Sequence, residues 1–183
     1  MKISIAVPCH VNDAEYLRQC LASIEKLNPP AYCHYVAWNT GETTLKDLRI
    51  DMFDRLFSQC DVVLSCDADF YLFPHILKYV KPNKVTSFAQ MENKFWSDIQ
   101  QTLIRLINPH SWSGLYSIPK TVWSNVKEYF DGSDTSIKNH ASYVFIRHFC
   151  YYALRPTNTF RLHERIRRKL TDALVTSQNQ KFD

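Results

Sequence analysis

Apolar residues recur along this chain with two periods that take turns. Residues 2–7 form a short apolar run with β-branched members, the pattern of a buried strand. A loop through Pro8 and His10 follows, and then Leu17, Cys20, Leu21, Ile24 and Leu27 stand at helical spacing. Asn12 and Glu15 occupy the positions of a capping pair, with Asn12 as the cap, and Asn28-Pro29-Pro30 ends the helix. A second strand over 34–38 leads through Asn39-Thr40-Gly41 into a helix carrying Leu45, Leu48, Met52 and Leu56.

The third apolar run, Asp61-Val-Val-Leu-Ser-Cys-Asp-Ala-Asp69, is a buried-strand pattern that empties into two carboxylates. The spacing next predicts a helix over 74–80, with Pro74 in its first turn, and a strand over 84–89. This strand-helix alternation predicts an α/β fold with helices layered on a mostly parallel sheet, and ligands at the carboxyl ends of the strands. Residues 91–109 turn aromatic and amphipathic through Phe95, Trp96, Ile99, Leu103 and Leu106, before an apolar segment at 114–118 and a helix over 119–130.

Residues 131–134 read as a loop capping a long helix that reaches Tyr152, with Ile137, Ala141, Val144, His148 and Tyr152 on one stripe. That places His140 on a helix surface and His148 in the core. A last strand over 157–163 runs into a basic terminal helix. No repeat, low-complexity tract or linker interrupts the pattern, so the chain is expected to be one domain over 1–183, with 164–183 as a basic helix and tail.

Composition narrows this picture without changing it. The 183 residues are 45% hydrophobic and 22% charged, with only three glycines, which excludes disordered and collagen-like classes. Six cysteines lack any C-x-x-C spacing, which argues against a zinc ribbon and for reduced thiols packed as small hydrophobes. No window resembles a membrane span and no cleavage site follows the opening run, so a soluble, cytoplasmic protein is expected.

The net charge of +4 is concentrated late. Arg155, Arg161, Arg165, Arg167, Arg168 and Lys169 stand against Glu164 alone in 155–169. A solvated helix face explains this as well as contact with phosphate or an anionic membrane does. No recognised pattern for DNA or RNA accompanies the charge, so nucleic acid is not an expected partner.

The residues with most chemistry are Asp67 and Asp69. A D-x-D triplet arises often by chance and can simply cap a turn. At the end of a buried strand, though, two hard oxygen ligands can hold Mg²⁺ or Mn²⁺ against a diphosphate. His10 and His163 each have a plain reading as a loop or strand-end histidine bonded to backbone. Tyr116, Tyr143, Tyr151 and Tyr152 are either core or the lining of an acceptor pocket.

Several stretches match one family in order. Ile3-Ser-Ile-Ala-Val-Pro8 with Tyr16-Leu-Arg-Gln-Cys-Leu-Ala-Ser-Ile24 resembles the opening strand, nucleotide loop and first helix of family 2-like GT-A glycosyltransferases, with one extra residue in the loop. The segment 61–73 resembles the strand delivering that family's D-x-D, and Trp112-Ser-Gly-Leu-Tyr-Ser-Ile-Pro119 its acceptor-side glycine segment. Gly132-Ser-Asp134-Thr resembles the acidic E-D pair, and Phe160-Arg-Leu-His163 the late strand ending in histidine.

The resemblance implies a single-domain GT-A fold, Rossmann-like, that moves a sugar from a nucleotide diphosphate donor, a UDP-sugar first and a GDP-sugar second, to a glycan, protein or lipid acceptor. It implies a donor site from Pro8, Cys9, His10, Trp38, Asn39, Asp67 and Ala68, and a Mn²⁺ or Mg²⁺ site from Asp69, Asp67 and His163. Asp134 becomes the general base of an inverting displacement. Departures from the family are Trp38-Asn39 where an aspartate usually reads the base, Ser133 in place of the first acid, and no Q-x-x-R-W motif. Alternatives are a nucleotidyltransferase, though its glycine-rich opening loop is missing, and a GT-A-like binding module without transfer activity. A dehalogenase-type phosphatase would carry its D-x-D on the first strand.

Overall fold

The computed structural model describes residues 1–91 and 115–154. The aromatic segment that follows Met91, the strand over 157–163, His163 and the basic region 155–169 lie outside the described residues.

Seven strands of the described residues form one sheet: β1 (Ile3–His10), β2 (Cys33–Asn39), β3 (Val62–Ser65), β4 (Phe70–Leu72), β5 (Val85–Met91), β6 (Tyr116–Pro119) and β7 (Tyr143–Ala153). Their order is β2-β1-β3-β6-β5-β7-β4. The pairs β1·β2, β1·β3 and β5·β7 are parallel, while β6 runs against both its neighbours and β4 against β7. Five strands therefore share one direction, as a mostly parallel α/β fold requires.

Helices cover both faces because successive strand residues point to opposite sides. Ile5, Val7 and Cys9 of β1 pack with Val62 and Leu64 of β3 and with Cys20 and Ile24 of α1 (Ala14–Ile24). Ala6 and Val63 face the other way, onto Met52, Phe53 and Leu56 of α2 (Leu45–Phe57). That second core is aromatic: Phe53 lies 5.1 Å from Trp123 and 5.9 Å from Phe130, ring centre to ring centre. Trp123 belongs to α3 (Lys120–Val126), and Ile137 of α4 (Asp134–His140) closes the same cluster. Truncating so buried a ring as Phe53 costs about 3–5 kcal/mol.

Several local expectations are corrected. Strand β1 does not stop at Val7 but runs through Pro8 and Cys9 to His10. Proline is tolerated there because its nitrogen faces the β3 side, where pairing has already ended at Ala6 with Ser65. Asn12 does not cap α1; it sits in a 3-10 turn (Val11–Asp13) whose cap is His10, Nδ1 accepting the Asn12 N–H at 3.1 Å.

Instead of a helix over 74–80, a short strand β4 is followed by a single 3-10 turn (Ile76–Tyr79). The Leu72 N–H donates to Ser23 Oγ of α1 at 3.0 Å, which accounts for a fully buried serine. The long helix to Tyr152 is also absent. α4 ends at His140, and 143–153 is strand β7, so His148 lies on a strand while exposed His140 ends the helix. The segment Tyr-Val-Phe-Ile-Arg-His-Phe-Cys-Tyr-Tyr is aromatic and β-branched, and pairing with β5 overrides its helical spacing. No helix among the described residues is long and apolar enough to cross a membrane.

Candidate functional site

Three parallel strands finish at one edge of the sheet. His10 and Asn39 pair as the last residues of β1 and β2, and β3 ends at Ser65 beside Ala6. Asp67 and Asp69 follow within four residues, in a turn fixed by backbone bonds. Cys66 N–H donates to the Ala6 carbonyl at 2.9 Å, Phe70 N–H to the Asp67 carbonyl at 3.0 Å, and Leu154 N–H to the Asp69 carbonyl at 2.6 Å. Ala68 between them is buried, so the turn anchors on its methyl while both flanking aspartates stay half-exposed.

Asp67 is engaged by a residue that sequence reading passed over. Arg49 of α2, its side chain 7% exposed, donates to Asp67 Oδ1 at 2.5 Å and with its other terminal nitrogen to the carbonyl of Gly132. The available signal was positional: Arg49 falls four residues after Leu45 and three before Met52, a charge on the buried stripe of the helix. A buried guanidinium there requires acceptors.

Gly132 belongs to the loop ahead of α4. It has φ +98°, and a Cβ on it would lie 3.2 Å from Lys46 Cα. The loop thus presses backbone to backbone on the first turn of α2, which only glycine permits. Asp131 Oδ1 accepts from Ser133 N–H at 2.8 Å and Ser133 Oγ at 2.7 Å. These bonds, with a further one from Ser136, hold the Asp131 carboxyl below the usual aspartate range. Ser133 caps α4 by accepting the Ser136 N–H at 3.4 Å, so Asp134 is the first helical residue and not the cap. The Asp134 side chain lies outside the described residues.

Between the first turn of α2 and this loop opens a cleft of about 410 Å³, with Lys46, Arg49, Asp67, Tyr116, Asp131 and Ser133 on its walls. It brings the D-x-D segment and the loop leading to Asp134 onto one space, with both signs of charge present.

Comparison by sequence gives no match, either to a protein-family profile or to a curated protein. Comparison of folds does. S. aureus TarS 1-349 in complex with UDP-GlcNAc superposes with TM-score 0.63 at 14% identity, over 86% of this chain and 59% of that one. The same TarS fragment with UDP gives 0.58 at 16% identity, over 84% and 60%. A glycosyltransferase involved in glycosylation of the major capsid of PBCV-1 gives 0.52 at 11% identity, over 88% of this chain and 97% of that one. The chain has a GT-A-like glycosyltransferase fold. It spans less than two thirds of the TarS chains, 37% of the longest.

In this GT-A-like sheet the expected donor residues take distinct positions. Cys9 is wholly buried, its thiol pushed up by burial first and by the neighbouring Cys20 and Asp69 next. His10 is exposed and already serves the turn after β1. Trp38 is 50% exposed and pairs with Cys9 on the α1 face, whereas Asn39 points to the α2 face. Asn39 Oδ1 accepts from Gly41 N–H at 2.9 Å, which shapes the turn after β2.

Asp67 and Asp69 are hard oxygen donors of the type a divalent cation takes. Asp67 keeps its second carboxylate oxygen beyond the one bonded to Arg49, and Asp69 adds another hard donor. Among the described residues no cluster of three or more His, Cys, Asp or Glu side chains forms a complete cage. Such a donor set suits Mg²⁺ or Mn²⁺ completed by phosphate oxygens and water.

Proposed function

We propose that the protein transfers a sugar from a uridine diphosphate sugar to an acceptor hydroxyl with inversion, with a GDP-sugar as the second choice of donor. The observation that carries this is that the D-x-D segment follows β3 at the carboxyl edge of a GT-A-like sheet, with Asp67 across one cleft from the loop that leads to Asp134. Neighbours of the same fold that hold UDP and UDP-GlcNAc support the choice of donor.

The chain's own groups divide the work. The ends of β1 and β2, from Pro8 to His10 and at Trp38 and Asn39, flank the nucleotide, and Asp67 and Ala68 border its ribose and phosphates. Asp69, with Asp67 and with His163 beyond the described residues, would hold Mn²⁺ or Mg²⁺, which would supply positive charge against the departing diphosphate. Asp134 removes the proton from the acceptor hydroxyl, whose oxygen bonds to the anomeric carbon as the bond to diphosphate breaks. Asp131 is the poorer base, since its carboxyl is spent on Ser133 and held below its usual range. A cytoplasmic place, with the basic 155–169 segment against anionic membrane, belongs to the same reading.

Calorimetry with UDP and UDP-GlcNAc, with and without Mn²⁺, tests it. Binding should need Mn²⁺ and vanish in Asp69→Asn, whereas Asp67→Asn should weaken it less because Arg49 already occupies one of its oxygens. Unchanged affinity of Asp69→Asn in Mn²⁺ would remove the metal assignment. Binding with no transfer or hydrolysis would favour a binding module instead.

A further inference from the structure

One side chain joins the two halves of this site. The Arg49 guanidinium reaches Asp67 with one terminal nitrogen and the Gly132 carbonyl with the other. A planar guanidinium fixes two acceptors in one arrangement, where a lysine ammonium on a flexible stem fixes neither direction as well. Its base is rigid, because Arg49 stands in the second turn of α2, a helix capped by Thr44, whose Oγ1 accepts the Asp47 N–H at 3.1 Å.

The far end of the link is equally constrained. Gly132 touches the Lys46 backbone, Asp131 holds Ser133, and Ser133 and Ser136 exchange hydrogen bonds, so 131–136 behave as one closed unit. Asp134 lies inside that unit as the first residue of α4. Moving the Gly132 carbonyl therefore moves the backbone that carries Asp134.

We infer that Arg49 is a positioning residue: it sets the separation between the D-x-D segment and Asp134, and it acts on transfer through Asp134. This rests on the reading of Asp134 as the base. A misplacement of roughly 1 Å in a reacting group can cost about 10²-fold in rate, so a two-ended clamp has kinetic weight beyond its contribution to folding. A purely structural arginine would lower melting temperature and leave kcat of the folded enzyme intact.

The test uses Arg49→Lys, Asp134→Asn and the double variant, with Mn²⁺ and the sugar nucleotide that wild type uses best. For Arg49→Lys the expected result is a donor KM within about threefold of wild type and kcat lower by about 10-fold or more. The double variant should be no slower than Asp134→Asn alone, the non-additivity of residues acting as a unit. Amide hydrogen exchange over 131–136 should quicken in Arg49→Lys while β1 and β3 keep their protection.

Wild-type kcat in Arg49→Lys, additive losses in the double variant, or unaltered exchange over 131–136 would each overturn the inference. If wild type transfers no sugar at all, the functional reading falls, and the exchange measurement still decides whether Arg49 holds the loop. Arg49→Gln, read in the same ways, replaces the lysine variant should that one melt below the assay temperature.

Discussion

Two acidic segments each send one aspartate, Asp67 and Asp131, to the same cleft, and they are built by opposite means. Asp67 and Asp69 sit on a turn hung from the sheet by backbone bonds to β1 and to the residue after β7. The loop 131–134 is held by its own serines, by Gly132 against α2, and by Arg49. In each segment the first aspartate is tied to a neighbour, Asp67 to Arg49 through one oxygen and Asp131 to Ser133. The second, Asp69 or Asp134, carries the main role in the proposed reaction, with Asp67 assisting Asp69.

The largest effect that can break this comparison is kinetic. Asp134→Asn should lower transfer on the order of 10²-fold or more with donor binding intact, whereas Asp131→Asn should retain most activity and lose stability instead. Initial rates beside melting curves decide it. Full activity in the first variant and loss in the second would reverse the division within the loop.

A smaller effect measures how much the loop depends on its contact with α2. Gly132→Ala forces an L-residue into φ +98° and drives a Cβ to 3.2 Å from Lys46 Cα. Gly41 has φ +93° but nothing within 4 Å of such a Cβ. Urea unfolding should place Gly41→Ala about 1 kcal/mol below wild type and Gly132→Ala about 2–3 kcal/mol below it. Equal losses would mean that the α2 contact yields easily.

The smallest effect is in pH. Hydrogen bonds from Ser133, and then from Ser136, lower the Asp131 carboxyl in the folded chain. A depressed folded value gives stability that is present above the ordinary aspartate range, about 4, and is lost as pH falls through the folded value. Asp131 is largely exposed, so the gain amounts to no more than about 0.5 kcal/mol. Ser133→Ala should flatten the fall in stability below about pH 4, measured by unfolding from about pH 6 to 3. An unchanged slope would show that these bonds leave the Asp131 titration as it is in the unfolded chain.

What the sequence determined alone is the strand-turn-helix march over the first third of the chain and the delivery of Asp67–Asp69 by a buried strand. Those signals are local: apolar runs of strand length, helical spacing, and turn residues within a few positions. They fall short where pairing at a distance outweighs local preference. The stripe Ile137, Ala141, Val144, His148 and Tyr152 has helical spacing, yet β5 draws 143–153 into the sheet, because a strand's hydrogen bonds come from a neighbour that local spacing does not encode. Phe70–Leu72 pairs with β7, about eighty residues on, and a short apolar segment carries no mark of so remote a partner. Arg49 is the sharpest case. Its neighbours along the chain place a charge on a buried stripe, but which acceptors make that burial tolerable, Asp67 from one strand end and Gly132 from a loop before α4, follows only once the tertiary fold closes the space between them.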